Sequence, residues 1–176
     1  ARGLAELRLN SLPHVEGDRV LFLRANSYLR REAMDQINEQ GSRNEAVLGP
    51  ARFVTPDGER RTYSPADELS PSAIVNAGPL PPGTVAWPRE VLESAASKLR
   101  SLRLGPFTTM GWLMVLADGG IESRVLETPL VETWDSREGP ACWTRGTVAA
   151  LKRFRKRLSG NESIERRLDS CLERVS

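Results

Sequence analysis

Histidine and cysteine are nearly missing from this chain. It holds one histidine, His14, and two cysteines, Cys142 and Cys171. A structural zinc site takes four Cys or His ligands at short paired spacings, and no CxxC or HxxxH spacing occurs here. That argues against an intrachain metal centre. The same scarcity removes most hydrolase arrangements. There is no G-x-S-x-G elbow, and a Cys–His pair would have to join His14 to one of two distant thiols. His14, within Ser11-Leu12-Pro13-His14-Val15, reads as a polar loop residue. Two cysteines do not make the disulfide framework of a small secreted domain. Cys142 lies among apolar and aromatic neighbours and Cys171 on an apolar helical stripe, so both read as small buried hydrophobes. The expected home is a reducing, intracellular compartment, cytoplasmic or organellar.

Long apolar runs are also lacking. No segment approaches the roughly 18 residues that a membrane-spanning helix needs, so no transmembrane segment is expected. The opening Ala1-Arg2-Gly3-Leu4 has no signal-peptide core and no starting Met, which fits a processed end, a transit-peptide remnant or a cut boundary equally. The phosphate-cradling patterns G-x-x-x-x-G-K-[ST] and G-x-G-x-x-G do not occur. No cofactor is expected. Carboxylates are plentiful, and Glu127 and Glu132 are close enough in sequence for acid–base work, but their spacing does not set them apart from surface charge. Neither sign of charge dominates: the 176 residues carry a formal net charge of +2, which removes the simple case for a wholesale polyanion binder or an acidic solvating tail.

What is present is enough to fold. Leu, Ile, Val and Phe make up 42 of the 176 residues, above the share of roughly 20% below which chains stay disordered. The segment 4–12 fits a short helix or a strand. Val20-Leu21-Phe22-Leu23 has strand length. Asn26 or Ser27 then caps a helix predicted to run to about Gln40, with Leu29, Ala33 and Ile37 on one stripe and Gly41 as its stop. Residues 51–64 read as a β-hairpin turning at Thr55-Pro56-Asp57-Gly58, with Arg52, Glu59, Arg60 and Arg61 facing water.

From 64 to 84, prolines at 65, 71, 79, 81 and 82 predict an extended connector; Ile74, Val75 and Leu80 give it something to dock with. Trp87-Pro88 opens the strongest helix, with Val91, Leu92, Ala95, Leu99 and Leu102 in a stripe. Residues 110–117, nearly all apolar, read as a strand buried on both faces. Asp118-Gly119-Gly120 supplies a turn to a return strand over 121–125. Residues 147–158 and 162–175 read as a C-terminal helical hairpin, Asn161 capping the second helix.

The organisation expected is a strand–helix–hairpin unit over 1–63, a connector over 64–84, a helix plus buried hairpin over 85–134 and a basic helical hairpin over 145–176. The fold class is α+β: a small, mainly antiparallel sheet from two hairpins, with amphipathic helices on one face.

Two features are candidates for function. Six basic residues and no acid fall between 145 and 157, and the chain from 145 onward carries +5 against −3 for the rest. Lys152, Arg153, Lys156 and Arg157 share one helical face, and with Arg145 they form a candidate contact for nucleic acid, another anion or a partner. Set against this are a plain solvated helix face and the lack of a helix-turn-helix signature, a zinc finger or an RNP1-like aromatic strand. Among the four tryptophans, Trp87 and Trp112 read as core. Trp134 and Trp143 flank an irregular loop and form the candidate protein interface. The leading functional expectation is a non-catalytic binding or assembly subunit with other protein subunits as partners. The alternatives are an RNA- or DNA-associated protein using the basic helix, and an enzyme built from dispersed polar residues.

Overall fold

Strands of three or four residues gather into two sheets, the apolar ones such as Ala46–Leu48 and Val85–Pro88 buried and the polar ones such as Arg60–Tyr63 largely exposed. The computed structural model describes residues 4–65, 67–70, 73–74, 83–101, 112–113, 115–117 and 119–134. In chain order the elements are α1 (Leu4–Ser11), a 3-10 turn (Leu12–His14), β1 (Arg19–Leu21), β2 (Ser27–Leu29), α2 (Arg31–Gln40), β3 (Ala46–Leu48), β4 (Ala51–Val54), β5 (Arg60–Tyr63), β6 (Val85–Pro88), α3 (Arg89–Ser101), β7 (Ser123–Val125) and β8 (Val131–Trp134). This is an α+β chain. The first sheet has the order β1-β6-β3-β7 and the second β2-β8-β4-β5. Each contains one parallel pair, β3 with β7 and β4 with β8; the other four pairings are antiparallel.

The first sheet is covered on both faces. Val20, Ala46, Leu48, Val85 and Trp87 pack with Leu9 and Leu12, with Leu92 and Leu99 of α3, and with 112–113 and 115–117. Val47 and Ala86, at alternate positions, face Ala33 and Ile37 of α2 together with Leu126 and Leu130. That is why β3 and β6 are buried at every residue. Alternation along a strand sends neighbours to opposite faces, so a strand between two apolar layers must be apolar throughout. Leu48, Leu92 and Leu130 have no exposed surface, and each such side chain contributes about 2 kcal/mol through removal from water. Arg19 of β1 holds the connection between α2 and β3: its guanidinium donates to the Glu45 carbonyl at 2.7 Å and to that of Ser42.

Several expectations hold. The ambiguous N-terminal segment is a helix, and β1, Arg19–Leu21, takes the first two residues of the early apolar run while Phe22 and Leu23 lie beyond it. The 51–64 hairpin is present: Gly58 donates to the Thr55 carbonyl at 2.9 Å and takes φ +86°, the left-handed region a glycine enters freely. The strong helix is present with Leu92 and Leu99 buried, but it begins at Arg89; Trp87-Pro88, expected to open it, ends β6, paired with Val20 and Arg19. Ile74 is fully buried, while Val75, Leu80 and Leu102 lie outside the described residues. His14 closes the 3-10 turn with its side chain exposed.

Others are corrected. The helix expected from Asn26 or Ser27 begins only at Arg31, because Ser27–Leu29 pairs antiparallel with β8 and the Ser27 hydroxyl shares a 2.7 Å hydrogen bond with Thr133 rather than capping. The strand expected over 110–117 is helical at 112–113 and 115–117, and the hairpin built on it does not form. Its presumed return strand, β7, lies parallel to β3 instead. One small sheet is in fact two, and helices flank both faces of the first. Among the described residues no helix is long and apolar enough to cross a membrane. The C-terminal helical hairpin lies outside the described residues.

Candidate functional site

The second sheet sorts its side chains onto two faces. Directly opposed residues in adjacent strands share a face, so the register fixes which residues meet. One face carries Leu29, Val131, Ala51 and Tyr63 across the four strands, then Ser27, Thr133, Phe53 and Arg61. Ala51, Phe53 and Val131 form its small core, with Tyr63 against it. Burial raises the Tyr63 phenol above its ordinary value.

The other face carries Tyr28, Glu132, Arg52 and Thr62 in one row, and Trp134, Val54 and Arg60 in the next. Glu132 sits in the central strand β8 and is only 5% exposed. A buried carboxylate needs partners or its desolvation cost stands unopposed. Glu132 has three. The Tyr28 hydroxyl donates to its Oε1 at 2.5 Å, Arg52 Nη1 lies 3.7 Å from Oε2, and Arg30 Nη1 lies 4.0 Å from the same oxygen. The two guanidinium distances are those of charge pairs rather than of good hydrogen bonds. The phenol pays back in kind: its bond to the Glu132 carboxylate, then partial desolvation, holds the Tyr28 hydroxyl above the usual phenol value, while Arg60 and Arg30 pull the other way. Tyr28 is thereby fixed as a neutral donor with its ring oriented.

Around this buried centre the face is open. Trp134 is 54% exposed and Tyr28 is 46% exposed. They stand on neighbouring strands at diagonal positions, with the Trp134 amide donating to the Asn26 carbonyl at 3.0 Å and the Asn26 side-chain amide donating to the Trp134 carbonyl. Arg60 is exposed and has no ion pair among the described residues. With the Glu132 carboxylate held by a phenol and two guanidiniums, and Arg30 also paired with exposed Glu32 at 3.6 Å, this face shows to solvent the rings of Tyr28 and Trp134, Thr62 and the cations of Arg52 and Arg60. Such a surface is suited to binding.

Of the candidate residues named from the sequence, only Trp134 falls on this face. Trp143, Arg145, Lys152, Arg153, Lys156 and Arg157 lie outside the described residues. Trp112 is in the core as expected, edge-on to Phe22 at 6.3 Å between ring centres, with the Arg8 guanidinium 5.0 Å over the Phe22 ring. Glu127 is exposed while Glu132 is buried, so the two carboxylates are not equivalent. Arg52, expected to face water, is half-buried against Glu132. Tyr28, Arg30 and Arg52 were not singled out by sequence. The signal that unites them is strand register, since Tyr28 and Arg52 are the two residues directly opposite Glu132. Among the described residues no group of three or more His, Cys, Asp or Glu is placed to hold a metal. No protein-family model matches this chain, and no curated protein sequence matches it.

Proposed function

We propose that this chain is a non-catalytic binding subunit of a larger assembly, and that the Trp134 face of the second sheet is its contact surface. The observation that supports this is the exposure of Trp134, more than half of its surface, on the same face as Tyr28 and the three arginines. Tryptophan, tyrosine and arginine are the residues enriched where binding energy concentrates, and an exposed indole on a regular strand contributes nothing to its own core. The Glu132 cluster gives the surface a fixed floor, so little ordering cost remains at the moment of contact. The test is the native mass of the chain taken gently from its source. A particle well above 19.5 kDa is expected, and substitution of Trp134 by Ala is expected to release free chain from it. A free monomer in the source extract would overturn the reading.

A further inference from the structure

We propose that the partner of this face is single-stranded nucleic acid, stacked on Tyr28 and Trp134 with its phosphates along Arg52 and Arg60. The inference rests on the reading that the Trp134 face is the binding surface, and it names the ligand class. The argument is the layout of the face. Its two exposed aromatics stand on β2 and β8, and two of its cations stand on β4 and β5. Adjacent strands are about 5 Å apart, so the cationic half lies one to three strand spacings from the aromatic half. A nucleotide has the same division, a flat base at one end and a charged phosphate about that far away. Tyr28 and Trp134 are diagonal neighbours, a separation of about 7–8 Å between backbones, which lets two successive unstacked bases lie on successive rings.

Charge points the same way. Arg30, Arg52 and Arg60 outnumber Glu132, whose carboxylate is buried and already paired, and Glu32, which is exposed and pairs with Arg30 at 3.6 Å. With Glu32 turned to Arg30 and Glu132 out of reach, the positive charge left for a polyanion lies on the β4–β5 side, at Arg52 and Arg60. The Tyr28 hydroxyl is occupied by Glu132, which leaves the ring rather than the hydroxyl for contact. Stacking on open rings tolerates any base, so the binding is expected to show little sequence preference.

The test is a fluorescence-anisotropy titration of the full chain with labelled oligothymidylate and oligouridylate of about twelve nucleotides, within the site sizes such surfaces cover. Binding that weakens as salt rises is expected. Trp134→Ala should weaken it about tenfold or more, the usual loss of one stacking ring. Arg60→Ala should lower the slope of log affinity against log salt by about one, the signature of one lost phosphate contact. Both side chains are exposed, so the variants should fold, which circular dichroism checks. Tyr28→Phe, which keeps the ring but loses the bond to Glu132, should retain more affinity than Tyr28→Ala, which loses the ring. No binding to either oligonucleotide at low salt would overturn the proposal. So would binding that ignores Trp134 and Tyr28 but disappears on replacing Arg153, Lys156 and Arg157 by Ala. A large native particle that survives nuclease treatment, from a chain that binds neither oligonucleotide, would overturn the nucleic-acid inference and leave the assembly reading standing. A free monomer would remove the assembly reading alone.

Discussion

Glu132 is a charged residue in the middle of a sheet, and its neighbours explain how it can be there. Each partner lies on the same face by register: Tyr28 directly opposite on one side, Arg52 directly opposite on the other, and Arg30 two residues beyond Tyr28. Removing the carboxylate leaves these groups short of partners. Glu132→Ala leaves two guanidiniums, each about a quarter exposed, Arg52 without its anion and Arg30 with Glu32 alone at 3.6 Å, and the Tyr28 hydroxyl without its acceptor. Loss of a buried charged hydrogen-bond partner costs roughly 1–3 kcal/mol, and breaking a wholly buried pair more. Because the arginines keep some water, Glu132→Ala is expected to cost about 2–3 kcal/mol in urea unfolding. Glu132→Gln keeps an oxygen for the Tyr28 hydroxyl and the shape of the side chain, so it should cost less than the alanine variant. Equal midpoints for parent and alanine variant would mean that the cluster is solvated and contributes nothing.

At the scale of elements, the segment 112–120 shows what periodicity cannot decide. Every described residue from 112 to 117 is buried, and an apolar run with no polar face has neither a period of two nor one of 3.6 to read. The glycines that look like a hairpin turn end a helix instead. Gly119 donates to the Val115 carbonyl at 3.1 Å and Gly120 to that of Ala117 at 3.1 Å, with Gly120 at φ +72°, which is the left-handed stop common at helix ends. Here a Cβ would meet no atom within 4 Å, so the cost of substitution is purely conformational. Gly120→Ala is expected to lower stability by about 1 kcal/mol, and Gly120→Asn by less, since asparagine tolerates this region. A thermal or denaturant midpoint checks both, and an alanine variant as stable as the parent would show that the stop does not depend on the glycine. Where a period exists, the sequence is legible: α3 buries Leu92 and Leu99 as its spacing requires, and the Pro-Asp-Gly turn produces its hairpin. The start of α2 was missed for another reason. Ser27 is a good cap by type, but its hydroxyl finds Thr133 over a hundred residues away, a partner no local window contains. The Glu132 face was illegible on the same ground, because its members come from four separate strands.

At the scale of the whole molecule, both sheets are stitched from distant parts of the chain. β1 and β3 take β6 and β7 as partners, while β2, β4 and β5 close around β8. The first sheet is not complete until Val125 is in place and the second not until Trp134 is, and β8 is the strand that joins β2 to the β4–β5 hairpin. This placement bears on the proposed surface. Trp134 ends a central strand, paired on both sides, rather than an edge or a loop. A binding residue held there is positioned before its ligand arrives, and preorganisation of that kind cuts the cost of association. Native-state hydrogen exchange tests the point, because amides open with free energies that rise from edges toward the core. The central strands β3, β6, β4 and β8 are expected to hold the slowest amides, with β1, β7, β2 and β5 faster. Within β8, Val131 and Thr133 are buried, with exposures of 0% and 2%, and should approach the protection of global unfolding. If the β8 amides instead exchanged as fast as those of β7, the second sheet would open locally, Trp134 would not be presented on a rigid strand, and any affinity at that face would have to absorb the cost of ordering it.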